Sequence, residues 1–101
     1  MIVLGQFKET YNNEKYPSIY TAICNEPHPQ KGKILAYLKS RKASAVSPGF
    51  YRDVIDNKTI INSPKCYTDG TYLWRSDTIY YFEKYNLRLN QDFIDHVMAS
   101  E

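Results

Sequence analysis

"YTDGTYLWRSDTIYYFEKYNLRL", residues 67–89, decides the fold of this 101-residue chain. Asp69-Gly70 separates two short runs of β-branched and aromatic residues, among the strongest local signals for a β-hairpin. Residues 65–74 are therefore read as a hairpin. On its second strand, alternation puts Tyr72 and Trp74 on one face and Leu73 on the other, which predicts Trp74 in the core. Ser76 is expected to cap a helix over 76–86. Asp77 in its first turn suits the positive pole of the helix dipole. Ile79, Phe82 and Tyr85 line one face of that helix, and Asn86 ends it. Tyr80 and Tyr81 are consecutive on the helix and cannot both point inward.

Working outward, "NQDFIDHVMAS" (90–100) reads as a second C-terminal helix. Asn90 stands at its cap, and Phe93, Ile94, Val97 and Met98 form an apolar stripe. On the other side, "YRDVIDNKTIIN" (51–62) has two β-prone runs about Asn57-Lys58. Asn tolerates the positive φ of a tight turn, so a further hairpin is expected, interrupted by Ser63-Pro64. "ASAVS" (43–47) reads as a short strand followed by a turn at 47–50. "KILAYLKSRK" (33–42) reads as a helix, with Ile34, Tyr37, Leu38 and Arg41 on one face. Residues 17–24 can open a short helix; "EPHPQKG" (26–32) and "NNEKYP" (12–17) are loops. Residues 1–16 show no firm period. The expected class is α+β, with a small antiparallel sheet built from hairpins and packed against N-terminal and C-terminal helices.

The length fits a single domain, 1–101, with one modest core. Hydrophobic residues make up 43% and charged ones 24%, ordinary for a folded chain. A net charge of +2 is too small for a protein that coats duplex nucleic acid through many phosphate contacts. Cys24 and Cys66 form neither a CxxC motif nor a disulfide framework. The apolar run after Met1 is too short for a signal-peptide core, and no run reaches the ~20 residues of a membrane span. A cytoplasmic location, without membrane partners, is expected.

Chemistry is sparsely encoded. His28 and His96 are the acid-base candidates, but nothing in the sequence brings them together. Cys24 and His28 are four apart, and Pro27 prevents the helix that would align them as ligands. Asp53 and Asp56, on a strand, would point to opposite faces. Phosphate-cradling and nucleophile-elbow motifs are missing, so neither metal nor cofactor is expected. Tyr72, Trp74 and Arg75 could stack single-stranded bases, which keeps a small nucleic-acid-binding or regulatory domain as the alternative function. The neighbouring acids Asp69, Asp77 and Glu83 oppose phosphate there. Ten tyrosines exceed what a small core absorbs. Tyrosine suits protein interfaces, because it brings area and a hydroxyl at low rotamer cost.

"KILAYLKSRKASAVSPGFYRDVID", the run 67–89 and "FIDHV" together resemble small bacterial immunity proteins of contact-dependent growth inhibition and related polymorphic toxin systems. The likeness spans residues 34–97. Arg41 stands where glycine is usual in that pattern, and Asn90 where proline is common. The resemblance implies a non-enzymatic protein that binds and neutralises the C-terminal domain of a cognate toxin, often a nuclease such as an RNase, as a 1:1 heterodimer in the producing cell. It also implies that Asp69-Gly70, Trp74, Ser76 and Asp77 are scaffold. Against a phosphate-binding toxin, exposed carboxylates would be complementary. Asp53, Asp56, Asp69 and Glu83, with Tyr51 and Tyr67, are the expected toxin contacts.

Overall fold

The computed structural model describes residues 1–61 and 64–100. The central hairpin forms as its sequence predicts. β5 (Lys65–Thr68) and β6 (Tyr72–Arg75) pair antiparallel, with Tyr67 opposite Trp74 and Cys66 opposite Arg75. Gly70 takes φ +97° in the turn, a conformation that disfavours any side chain with a Cβ. Asp69 completes that turn. Its Oδ1 accepts from the backbone N–H groups of Thr71 (2.9 Å) and Tyr72 (2.7 Å).

The fold is α+β, and one strand of its main sheet, β1 (Ile2–Val3), was not expected. β1 joins β6 in parallel, and β2 (Ala43–Val46) joins β5 antiparallel with an irregularity between Ala43 and Ala45. The order is β1-β6-β5-β2, so the main sheet is mixed rather than wholly antiparallel. A two-residue strand is too short to display a period of two, which is why β1 left no trace in the sequence. β3 (Tyr51–Arg52) and β4 (Ile60–Ile61) make a separate two-stranded ribbon. Asn57 does adopt positive φ there, at 61°. The strands are shorter than expected, because the carboxylates of Asp53 and Asp56 organise the intervening chain as a loop. The far end of that expected hairpin at Asn62, and the break at Ser63, lie outside the described residues.

Helices cover one face of the sheet. α2 (Lys31–Lys39) contributes Ile34 and Leu38, α3 (Ser76–Tyr85) Ile79, Tyr81 and Phe82, and α4 (Gln91–Ala99) Phe93, Ile94 and Val97. Trp74 is fully buried among them. Its ring centroid lies 5.9 Å from that of Phe93, and its indole N–H donates to Leu38 O at 3.2 Å. Removing this much aromatic surface from water contributes on the order of 4 kcal/mol before entropy is counted. In the N-terminal region, α1 (Lys8–Tyr11) is a single turn, and residues 17–24 form only a short 3-10 turn, Ile19–Thr21, that buries Ile19.

Ser76 does not act as the N-cap. Arg75 holds the extended cap conformation, and Ser76 is the first helical residue, its Oγ accepting from Lys65 N at 3.1 Å. β6 therefore runs into α3 without a loop. Asn90 holds the cap position of α4 without a side-chain capping bond. On the opposite sheet face, the Arg75 guanidinium lies between the rings of Tyr11 (4.3 Å) and Tyr51 (4.4 Å), bonds Thr10 O and pairs with buried Asp77. That stack pins α1 and the β3–β4 ribbon to the sheet.

Candidate functional site

Besides Asp77, which pairs with Arg75, two buried carboxylates organise the polar chemistry, and both accept from phenols. Asp53 begins the loop after β3 and is 0% exposed. Its Oδ2 accepts from the hydroxyls of Tyr80 (2.6 Å) and Tyr85 (2.7 Å), and its Oδ1 from the N–H groups of Ile55 (2.7 Å) and Asp56 (3.1 Å). Burial alone would raise its pKa. The four hydrogen bonds outweigh burial and hold the carboxyl below its ordinary value. Burial, reinforced by the hydrogen bond to Asp53, pushes the Tyr85 phenol up to about 12.

Asp56 sits at the rim of this node. It accepts from Thr59 Oγ1 at 2.5 Å and from the N–H groups of Lys58 and Thr59, which depress its pKa. Lys84, one turn beyond Tyr80, places Nζ 3.2 Å from Asp56 Oδ2 and 3.6 Å from Asp53 Oδ2. Asp53 and Asp56 thus meet one lysine instead of facing apart, because the chain turns here where a strand was expected.

Asp69 makes the second node. Besides its two turn amides, its Oδ2 accepts from Tyr37 OH at 2.5 Å and lies 2.9 Å from His96 Nε2. The Asp69 side chain is 3% exposed. Burial works against its ionised form, but bonds from Tyr37, Tyr72, Thr71 and His96 prevail and hold its pKa at about 2. Arg41 covers the outer face of Tyr37 at 4.7 Å, and His96 packs edge-on against Tyr72 at 5.1 Å. This node ties the hairpin turn to α2 and α4.

The six expected contact residues therefore separate. Asp53 and Asp69 are not the exposed carboxylates expected, since both are buried and saturated by internal donors. Asp56 is partly exposed and bound to Lys84. Glu83 is exposed and pairs with Lys39 at 3.2 Å. Tyr51 is half-buried against Arg75, and Tyr67 is half-buried beside Trp74 on β5. His28 and His96 occupy different places: His96 is in the Asp69 node, whereas His28 lines a hollow with Cys24. Among the described residues, no group of three or more His, Cys, Asp or Glu side chains is placed to hold a metal ion. No helix is long and apolar enough to cross a membrane, among those same residues.

The linker between α3 and α4 was missed by sequence reasoning. Leu87 and Leu89 are buried and Arg88 between them is exposed. Arg88 and Leu89 line two hollows, one of about 450 Å³ and one of about 310 Å³. The Leu-Arg-Leu alternation was the available signal. Compared with known proteins, the chain matches no family model, no curated protein and no solved structure.

Proposed function

We propose that this chain is an immunity protein. It binds the toxic C-terminal domain of a contact-dependent growth inhibition system one-to-one and neutralises it in the cytoplasm of the producing cell. The toxin is a nuclease in this reading, with RNase activity the leading case. One observation carries the proposal. The residues that resemble the immunity-protein pattern are those that hold the hairpin–helix unit together: Asp69 and Gly70 build the turn, Trp74 fills the core and Asp77 neutralises Arg75. The resemblance assigns that scaffold role to Asp69, Gly70 and Trp74; Ser76 and Asp77, which it assigns to the helix cap, instead accept from Lys65 N and pair with Arg75, respectively, and recognition is left to the less patterned surface.

Such a protein needs affinity and no turnover. A toxin enzyme that escapes keeps working, so binding at nanomolar strength or tighter is required, about −12 kcal/mol. An interface of about 1,600 Å² reaches this when a few anchors are well desolvated. The deciding experiment is co-expression with the toxin domain encoded beside it. Growth rescue and recovery of a 1:1 complex are expected. Failure of the folded protein to rescue or to bind would refute the reading.

A further inference from the structure

β2 is an edge strand, and the β3–β4 ribbon continues from it. β2 pairs with β5 alone, so its outer edge carries unpaired N–H and C=O groups. Ser47 N donates to Pro64 O at 2.9 Å, which joins the β2–β5 pair to the ribbon. The outer chain, residues 41–52, spans roughly 30 Å along this edge. Every residue from 41 to 50 is exposed, and so is Arg52. Val46 is 62% exposed, Phe50 57%, and Ile60, the cross-strand neighbour of Arg52, 52%.

The available charge here is of one sign. Arg41, Lys42, Arg52, Lys58 and Lys65 lie between residues 41 and 68, and none of them pairs with a carboxylate among the described residues. The acids in that span are Asp53, which is buried, and Asp56, which is held by Thr59 and Lys84. The acids expected from the sequence to oppose phosphate are also committed elsewhere. Asp69 and Asp77 have buried side chains, and Glu83 pairs with Lys39. A net charge of +2 therefore hides a cationic stripe, and it is the distribution of charge that a polyanion meets.

We infer that the outer edge 41–52 binds single-stranded nucleic acid, with the cations and the edge N–H groups of β2 taking phosphates and Phe50 stacking on a base. A folded protein presents charges of both signs, and an unbroken cationic stripe of this length does not complement such a surface. A polynucleotide carries a negative charge at every residue and does. A second copy of the chain would bring like charge against like. An exposed aromatic ring among guanidinium and ammonium groups is the combination that holds single strands without reading their sequence, and free strand N–H groups are further donors to phosphate oxygens. The inference goes beyond the toxin-binding reading and does not depend on it.

The test titrates the full chain into fluorescent oligouridine and oligothymidine strands of about twelve nucleotides and reads anisotropy from low to physiological salt. Both strands are expected to bind, with log K falling against log salt at a slope of about −3.5, from about 0.7 for each of the five cations. Lys42→Ala and Arg52→Ala should each weaken binding and each flatten that slope by about 0.7. Phe50→Ala should weaken binding by about tenfold with the slope unchanged. All three side chains are exposed, and unchanged thermal melting separates their loss from misfolding. No binding by the wild-type chain at low salt would overturn the inference, as would equal affinity of Phe50→Ala and wild type. Displacement of the strand by polyglutamate at equal charge concentration would show a surface for any polyanion and overturn the nucleic-acid assignment. The immunity reading stands or falls separately, on growth rescue.

Discussion

Replacing Asp53 by alanine should be the most costly single change outside the apolar core. The carboxylate accepts four hydrogen bonds while fully buried, and each bond to a charged group contributes about 1.5–3 kcal/mol when lost cleanly. The loss will not be clean. Tyr80 and Tyr85 are half-buried and can turn towards water, and the desolvation cost of the carboxylate itself disappears. The net expectation is about 4 kcal/mol, in the range seen when one partner of a buried charged cluster is removed. For a domain this size the melting temperature should fall by roughly 16 °C or more. Urea unfolding followed by Trp74 fluorescence gives the free energy. A cycle with Tyr85→Phe should show about 1–2 kcal/mol of coupling. A cost below about 1 kcal/mol for Asp53→Ala, or additivity with Tyr85→Phe, would refute the view that this node holds the β3–β4 loop to α3.

Acid should unfold the protein in a defined window. Asp69 is held at about 2 against an ordinary 3.8, and a depressed carboxyl stabilises above its unfolded value. That stability is complete above about pH 4 and is lost as pH falls from there towards 2; Asp69→Asn should flatten the slope of unfolding free energy against pH. Glycines 5 and 70 should respond differently to alanine. Both have positive φ, but a Cβ on Gly5 would meet Thr78 Oγ1 at 2.7 Å while one on Gly70 meets open space. Gly70→Ala is expected to cost about 1 kcal/mol and Gly5→Ala clearly more, on the order of 2–3 kcal/mol, by thermal denaturation. Tyr37→Phe and Tyr80→Phe should each lower stability by about 1–2 kcal/mol yet leave the toxin affinity of the folded protein within twofold. A large drop in affinity with unchanged stability would make those phenols anchors rather than scaffold.

The legible parts of the fold were those decided by near neighbours. Asp69-Gly70 dictates its turn whatever surrounds it, and the stripes Ile34/Leu38 and Phe93/Ile94/Val97 declare helices of which one face must be buried. Trp74 followed from alternation on a strand already placed. What stayed hidden depends on distant pairing. The parallel partner of β6 comes from residues 2–3, too few to carry a pattern. Ser76 had the chemistry of a cap but was drawn to Lys65, eleven positions back. The tyrosine–aspartate pairs join residues 27 and 32 positions apart, and no local spacing announces them. Asp53, on an expected strand, and Asp69, in an expected turn, were read as exposed groups that would complement a phosphate-binding partner, because carboxylates are rarely buried. Hydroxyls arriving from α2 and α3, added to local backbone N–H groups and His96, make their burial tolerable.

That arrival explains the tyrosine content and constrains where recognition can lie. A chain of this length buries a limited apolar core. Tyr37, Tyr80 and Tyr85 each add ring area at the margin of that core and end in a donor. The helix margins can therefore close over ionised carboxylates without leaving them unpaired. Tyr11 and Tyr51 do the equivalent for a cation by enclosing Arg75 between their faces. A phenol committed to a buried acid, or a ring committed to a guanidinium, can be given to a partner only by breaking the node it closes, at a cost that recognition would have to offset. Tyrosine abundance, which in the sequence suggested an interface, is thus accounted for largely by the interior. Recognition then belongs to groups whose contacts the fold does not need.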